Sequence, residues 1–336
     1  MTLMEYINRE ERGYLLPFMG ANGPIMVEKP MEEIYASPEE QLMLAKKMEE
    51  KFPSDFIYAL DEGNLFCDVM GVALKKPGYD FSMVMDHPIK TVEDLEKLEI
   101  PDPYTNKRMK TNLKSLNLIS ENIDKPLFVS LQGPFTMAVQ LAGATGLLKA
   151  TIKNPDFVKK LLEFTGEVVD RYAKAIVGAG VKMISIAEPS TVMLAPKKFP
   201  EMVLDNLNKI FKNLDCWKCV HICGDTSRIY PYILETPIDA FSFDQIMDME
   251  EIIEIFPKDK VVIGNLDPIY LLGRGSVDEV TDKTAELHNK MRKYDNYLMA
   301  FGCSCINTTP IENLETVSKW GRASYEEIRI FIENNK

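Results

Sequence analysis

The chain has 336 residues, of which 46% are hydrophobic and 27% charged, a composition typical of a globular protein rather than a disordered or fibrous one. Its 51 Asp and Glu residues outnumber its 39 Lys and Arg residues, which gives a formal net charge of −12 and argues against nucleic acid as the main partner. No apolar run approaches the ~18 residues of a membrane-spanning helix, and no basic segment at the start leads into an apolar stretch. We therefore predict a cytoplasmic protein with no membrane segment.

Short apolar runs alternate with longer helical segments from end to end. No linker, low-complexity tract or internal repeat divides the chain, so we predict one domain over 1–336. Eight runs rich in β-branched or aromatic residues predict strands: Leu15–Phe18, Phe56–Ala59, Leu127–Leu131, Met183–Ala187, Cys219–Ile222, Ala240–Phe243, Val261–Ile263 and Tyr297–Phe301.

The segments between the predicted strands have apolar residues three and four positions apart, which predicts helices. The clearest are Pro38–Lys51, Asn154–Ala179 and Val277–Tyr294. The stretch from Glu62 to Lys125 contains several prolines and is predicted to be an insertion of short helices and loops.

Alternation of strands and helices predicts a parallel sheet, and eight such units in one chain predict an α/β fold, a single (β/α)8 TIM barrel with N-terminal helical and loop insertions. A doubly wound open sheet is the main alternative. Against it, no Gly-rich dinucleotide or phosphate fingerprint follows any predicted strand.

In this architecture the side chains that do chemistry lie on the loops just after the strands. The residues at those positions, in chain order, are Gly20 and Asn22, Asp61 and Glu62, Gln132 and Gly133, Glu188, Cys223 and Asp225, Asp244 and Gln245, Asn265 and Asp267, and Cys303. From these we predict a substrate pocket that includes Asn22, Gln132 and Asn265.

His221 and Cys223 form the strongest local signal, because residues two apart at the end of a strand point to the same side. Imidazole nitrogen and thiolate sulfur are ligands that zinc prefers, and a catalytic zinc takes three protein ligands. A His-x-Cys on an apolar strand is more often buried packing, but a further cysteine at the same barrel mouth favours metal binding. Cys303 is nearest its strand end; Cys305 is the alternative third ligand.

The other cysteines have structural interpretations. Cys216 and Cys219 form a CxxC, but their odd spacing along a strand directs them to opposite faces, which favours core or surface positions. Cys67 lies in an apolar stretch and is predicted to pack there.

Two carboxylates are predicted catalytic residues. Glu188 and Asp244 stand at strand ends, where a solvated charge on the rim is the alternative interpretation. Either one is a candidate to orient His221 by accepting its free N–H. His288 lies among charges in a predicted helix and is expected to be exposed, and His87 opens a loop; neither has a ligand partner at useful spacing.

Two segments together resemble the zinc methyltransferase branch of the uroporphyrinogen decarboxylase superfamily. They are His221–Thr226 and Gly302–Leu314, and the resemblance extends over nearly the whole chain. Supporting segments stand in the expected order at Gln132–Thr136, Phe241–Asp244 and Gly264–Pro268. The family's pattern Cys…Thr-Pro-x-Glu-Asn aligns its cysteine with Cys303, which supports Cys303 over Cys305.

The branch includes the methylcobamide:coenzyme M methyltransferases and the methyltransferases of corrinoid-dependent O-demethylase systems. The resemblance therefore implies zinc held by His221, Cys223 and Cys303, and methyl transfer between a corrinoid (cobalamin) and a small methyl donor or acceptor such as a thiol or a methyl ether. The chain has no Asp-x-His-x-x-Gly segment. The corrinoid is accordingly expected on a separate protein.

Two alternatives remain from the same resemblance. One is a metal-free lyase of the decarboxylase type, with Asp61, Glu62 or Asp244 in proton transfer. The decarboxylases resemble one another in an arginine-rich loop after the first strand, but here no arginine occurs between Arg12 and Arg108, which disfavours that alternative. The other is a non-enzymatic corrinoid- or tetrapyrrole-binding module.

Overall fold

The computed structural model describes residues 1–17, 22–60 and 63–335. Four positions named above, Phe18, Gly20, Asp61 and Glu62, lie outside the described residues. Within them, eight parallel strands form one sheet in the order β1-β10-β9-β8-β7-β6-β5-β2, and β3 and β4 form a separate antiparallel hairpin. The strands are β1 (Leu15–Leu16), β2 (Ile57–Tyr58), β3 (Leu74–Lys75), β4 (Met83–Val84), β5 (Leu127–Gln132), β6 (Met183–Ala187), β7 (Trp217–Ile222), β8 (Ala240–Phe243), β9 (Val261–Leu266) and β10 (Tyr297–Phe301).

Helices surround the sheet and follow most of its strands. Their bounds are α1 (Leu3–Ile7), α2 (Gly23–Val27), α3 (Met31–Ala36), α4 (Pro38–Lys51), α5 (Leu65–Val69), α6 (Val92–Leu95), α7 (Lys107–Asn122), α8 (Pro134–Ala142), α9 (Ala144–Lys153), α10 (Pro155–Gly178), α11 (Asp205–Lys212), α12 (Tyr230–Ile233), α13 (Met249–Ile255), α14 (Leu271–Arg274), α15 (Val277–Met291), α16 (Ile311–Gly321) and α17 (Tyr325–Asn334). Two 3₁₀ turns (Pro189–Met193 and Pro196–Lys198) and a π turn (Pro200–Leu204) separate β6 from α11. The eight parallel strands and their helices make a (β/α)8 TIM barrel, as the sequence predicts.

Side chains alternate between the two faces of the barrel wall, because successive residues of a strand point to opposite sides. One buried cluster includes Phe128, Met183 and Cys219, which point into the barrel interior. The other includes Val129 and Ile184 and packs beneath the surrounding helices. Side chains at the last inward position of each strand therefore face the barrel mouth.

The barrel is nearly closed, and Asp55 joins the two strands at the gap between β1 and β2. Its amide donates to Leu15 O at 3.1 Å, and its carboxylate accepts the Leu15 amide at 2.9 Å. The same buried carboxylate forms ion pairs with Arg12 at 2.8 Å and Arg322 at 3.2 Å. The Asp55 side chain thus replaces part of the backbone hydrogen bonding between β1 and β2, and we call this gap in the barrel wall the seam.

Two expectations need correction. The stretch from Glu62 to Lys125 is more regular than predicted, because within its described part it contains the β3–β4 hairpin and the 16-residue helix α7. The prolines precede α7 rather than interrupt it. His288 is 2% exposed rather than on the surface, since α15 turns it towards Trp320 O, which lies 2.9 Å from its Nδ1.

No single helix in the described part of the chain is long and apolar enough to cross a membrane. The pair α8 and α9 meets that length and composition only when the two are taken together, and they are bent by 101° at their junction.

Candidate functional site

Three predicted metal ligands meet at the carboxyl-end mouth of the barrel. His221 is the penultimate residue of strand β7, Cys223 follows that strand, and Cys303 follows β10. His221 Nε2 lies 3.2 Å from Cys223 Sγ, and Cys223 Sγ lies 3.4 Å from Cys303 Sγ. All three ligand atoms are within 4.8 Å of one another. No other group of three His, Cys, Asp or Glu residues with this spacing occurs among the residues described.

The donor set and its spacing fit a zinc ion. With Zn–S near 2.3 Å and Zn–N near 2.0 Å, two ligand atoms on a tetrahedral zinc are about 3.5 to 3.8 Å apart. The observed separations of 3.2 and 3.4 Å need only small outward shifts to match. One imidazole and two thiols leave a fourth position, which is the arrangement of a catalytic rather than a structural zinc.

The contact between the two thiols of the cluster shifts their pKa values in opposite directions. The hydrogen bond from Cys223 lowers the pKa of Cys303 to about 4, with a further contribution from His221, although burial opposes the change. The same contact, together with burial, raises the pKa of Cys223. A cation placed between the two sulfurs would favour thiolate in both.

Cys305 is not part of this cluster. It is 3% exposed and belongs to the buried core of the barrel, where burial raises the pKa of its thiol. Cys219 is fully buried and Cys216 is half-buried at the opposite end of β7. Cys67 is buried, and its thiol lies 3.2 Å from Gln140 Oε1.

A hydroxyl lies at the second ring nitrogen of His221. Ser242 is the cross-strand partner of His221 on β8, and its Oγ is 3.1 Å from His221 Nδ1. The sequence predicts Glu188 or Asp244 for this place and does not predict Ser242. The signal was available, because Ser242 is a polar residue between Phe241 and Phe243, in an otherwise apolar strand.

Asp244 fastens the loop that bears Cys223. Its carboxylate accepts the Gly224 amide at 2.8 Å and the Ile246 amide at 3.0 Å. Asn265 in turn donates to Asp244 O at 2.9 Å and to Met247 O at 2.7 Å. These contacts link the loops after β7 and β8 to each other and to strand β9.

Glu188 is turned away from the barrel interior. It is fully buried, and its carboxylate accepts the amides of Phe135 and Thr136 and the Thr136 hydroxyl at 2.7 to 2.9 Å, at the N-terminus of α8. Burial raises its pKa to about 7, and these hydrogen bonds limit the rise. Gly133 permits this contact, since a Cβ there would lie 2.3 Å from Glu188 Cδ.

The other predicted pocket residues divide between two places. Asn22 is buried and donates to Ile306 O at 2.7 Å, so it holds the loop that follows Cys303. Gln132 lines a cavity of about 230 Å³ at the barrel mouth, together with Gly63, Asn64, Phe81, Ser130, Thr136, Ala187 and Pro189. Phe81 lies between β3 and β4, in a hairpin that the sequence pattern does not predict.

Fold and cluster together define a class, a TIM barrel with a candidate catalytic metal site of one histidine and two cysteines at the mouth. The uroporphyrinogen decarboxylase (URO-D) family model matches residues 22–323. The chain belongs to this family.

Relatives in the family include methyltransferases and decarboxylases. Methylcobamide:CoM methyltransferase MtbA of Methanosarcina acetivorans is 29% identical over 239 residues, 69% of this chain and 68% of that protein. Methylated-thiol–coenzyme M methyltransferase of Methanosarcina mazei is 28% identical over 191 residues, 56% of this chain and 51% of that protein. Uroporphyrinogen decarboxylase of Carboxydothermus hydrogenoformans is 22% identical over 289 residues, 80% of this chain and 81% of that protein.

A solved methyltransferase from Methanosarcina mazei has the same fold. It superposes with a TM-score of 0.85 at 22% identity, over 95% of this chain and 96% of that one. A B12-independent methionine synthase from Shewanella is more distant, with a TM-score of 0.60 at 16% identity over 90% and 91% of the two chains.

Proposed function

We propose that the protein is a zinc-dependent methyltransferase that moves a methyl group between a corrinoid protein and a small molecule such as a thiol or a methyl ether. The observation that carries the proposal is the convergence of His221, Cys223 and Cys303 within 4.8 Å at the barrel mouth. Relatives named methylcobamide:CoM methyltransferases support the corrinoid half of it.

The bound groups and two of the three ligands, His221 and Cys303, are assigned separate contributions. Zinc, when bound, supplies Lewis-acid activation of the thiol or ether oxygen of the small molecule, and the corrinoid supplies or takes the methyl group. His221 is oriented by Ser242, which fixes the ring so that Nε2 faces Cys223. Cys303 is the thiol whose pKa the contact with Cys223 lowers, which favours the thiolate that a metal binds.

The predicted carboxylates take positioning roles in this proposal. Asp244 holds the Cys223 loop through Gly224, and Asn265 holds Asp244. Glu188 anchors α8 behind the barrel wall. None of the three is assigned a proton-transfer step.

Exposed apolar side chains surround the mouth and support docking of a corrinoid protein there. They lie on the segments after β6, β8 and β9, and are Val192, Met193, Ile246, Ile269 and Tyr270. Loops after barrel strands lie at the same end as the cluster.

A cytoplasmic location is part of the proposal, because all six cysteines are free thiols, which a reducing compartment maintains.

Metal analysis tests the proposal first. Protein purified without chelator or affinity nickel is expected to contain about one zinc per chain, and the His221→Ala and Cys303→Ala variants are expected to lose it. Cys305→Ala is the matched control and is expected to keep the metal, since Cys305 lies in the core. Loss of the methylcobalamin absorbance on addition of a thiol then tests methyl transfer.

The decarboxylase-type lyase makes the opposite forecast. A wild-type protein without zinc, with no uptake when zinc is added and with full activity in a Cys223→Ser variant, would replace the methyltransferase proposal with that alternative. Binding of a corrinoid or tetrapyrrole that persists without zinc and without turnover would favour the binding module.

A further inference from the structure

The 230 Å³ cavity is at the barrel mouth, and its lining includes Gln132 of β5 and Ala187 of β6. Gln132, Ala187, His221 and Ser242 form one row across β5, β6, β7 and β8, because each is the register partner of the next. Register partners on parallel strands point to the same face of a sheet. Gln132 therefore faces the same interior as His221, two strands or about 10 Å away along the sheet.

No positive charge lines this cavity. Its described walls contain only uncharged residues. Lys and Arg are also missing from the sequence in 13–28, 52–74, 126–148, 183–196, 261–273 and 294–318, which hold most of the barrel strands and the residues that directly follow them. The hairpin region that supplies Phe81 does contain Lys75 and Lys76, but both are exposed, and Lys76 forms ion pairs with Glu32 and Asp68. Within 219–257 the single cation is Arg228, which is exposed and interacts electrostatically with Asp225.

Acidic residues do occur in those segments. Asp225, Asp244 and Asp267 follow β7, β8 and β9 at the mouth. An anionic head group, such as a sulfonate or carboxylate, would enter an acidic mouth and lose its hydration without a cation to replace it. The cavity thus disfavours anions.

Gln132 favours a ligand that carries a hydrogen-bond donor. Its Oε1 is buried, and no described residue donates a hydrogen bond to it. A buried acceptor left unpaired is unfavourable, so a ligand that brings a donor gains binding free energy there. Asn64, on the same wall, is already engaged, because it donates to Ser82 O at 2.5 Å and accepts from Gln140 Nε2 at 2.6 Å.

We propose that the small substrate of this enzyme is a non-anionic molecule that presents an O–H or N–H donor to Gln132 while its thiol or ether group lies at the metal cluster. The inference rests on the proposed methyl-transfer function and specifies its substrate class. It separates this chain from relatives whose names specify coenzyme M, because that thiol bears a sulfonate. The cavity volume is also below the ~300–1,000 Å³ of sites for drug-sized ligands, which agrees with a small substrate.

Three thiols that differ in one head group test the proposal. They are 2-mercaptoethanol, 2-mercaptoethylamine and 2-mercaptoethanesulfonate, titrated calorimetrically into the zinc-loaded full chain. The hydroxyl or ammonium thiol is expected to bind roughly 10-fold or more tightly than the sulfonate thiol. Comparison of the first two shows whether an O–H or a cationic N–H is the preferred donor.

Variants at Gln132 assign the preference to this residue. Gln132→Met removes the acceptor at similar size and is expected to reduce the ratio of donor to sulfonate affinity by roughly 5-fold. Gln132→Lys adds a cation and is expected to shift the ratio towards the sulfonate. Asn122→Met, on the exposed end of α7, is the matched amide control and is expected to keep the wild-type ratio.

The outcomes separate the two proposals. A protein without zinc and without methyl transfer from methylcobalamin overturns the proposed function itself. A protein that binds zinc but prefers the sulfonate thiol, or binds all three equally, overturns only the substrate inference. A wild-type preference that Gln132→Met leaves unchanged, with unfolding profiles matched to wild type, also overturns it.

Discussion

Cys303 and Cys305 are one residue apart, yet their surroundings give the two thiols different chemistry. Cys303 is half-buried and its Sγ lies 3.4 Å from Cys223 Sγ, whereas Cys305 is enclosed by apolar side chains. The Cys303 thiol is therefore suited to bind a cation, and the Cys305 thiol packs in the core. Residue type alone does not decide between two such neighbours, because the difference lies in burial and partners.

His288 illustrates the same point for stability. It is 2% exposed, its Nδ1 lies 2.9 Å from Trp320 O, and burial lowers its pKa below the usual 6.5. The unfolded chain therefore takes up a proton near pH 6.5 that the folded chain does not, so the free energy of unfolding falls as the pH drops through that value.

We predict that urea denaturation of the wild type shows this loss of stability between about pH 7.5 and pH 5.5, and that His288→Gln shows a smaller loss. His87→Gln, in a half-buried loop residue, is the control and is expected to follow the wild type. Equal pH dependence in the wild type and His288→Gln would contradict the prediction.

At the scale of elements, polar side chains of one βα loop hold the backbone of another. Asp244, after β8, accepts the amide that follows Cys223, and Asn265, on β9, donates to two carbonyls of the loop after β8. Strand positions thus determine where the cysteine thiols lie, although the cysteines themselves are on loops.

We predict that Asp244→Ala weakens zinc affinity by roughly 10- to 100-fold, because the Cys223 loop loses its anchor. Competition with a chromophoric chelator measures the affinity. Asp225→Ala is the matched control: this carboxylate is exposed, accepts the Ser227 amide at 2.9 Å, and its removal is expected to leave zinc affinity unchanged. The same affinity in both variants would remove the positioning role from Asp244.

Much of the element plan follows from sequence periodicity. The helix Pro38–Lys51 and the strands Met183–Ala187, Ala240–Phe243 and Tyr297–Phe301 have the bounds that the pattern predicts. The β3–β4 hairpin was missed because its strands have two residues each, too few for an alternation to be recognised. Such a short hairpin depends on contacts with the rest of the molecule rather than on its own pattern.

At the scale of the whole molecule, barrel symmetry made the convergence of the three candidate metal ligands predictable. His221, Cys223 and Cys303 follow from the rule that strand ends share one mouth. The direction of Glu188 did not follow, because the residue after the last inward position faces the helices instead. Sequence order shows which residues reach the mouth region, but strand parity at the end of each strand determines which of them face the interior.

Closure of the barrel depends on one carboxylate. Asp55 is 3% exposed and contacts Arg12, Arg322 and the Leu15 amide. We predict that Asp55→Ala lowers the free energy of unfolding by about 3 kcal/mol, since it leaves two partly buried guanidinium groups without their shared partner.

Urea denaturation measures this effect, and Glu10→Ala is the control. Glu10 pairs with the same Arg12 at 2.6 Å but is exposed, so its removal is expected to leave the midpoint nearly unchanged. A similar loss in both variants would show that the seam has no special role in stability.

The seam also limits when this protein can fold during its synthesis. Strand β1, near the start of the chain, pairs with β10, and the ion pair at Asp55 includes Arg322. Translation must therefore have passed Phe301, the last residue of β10, before the first strand can pair with it. Until then the growing chain has an unpaired strand at each edge, a state in which chaperones recognise nascent proteins and premature contacts lead to aggregation.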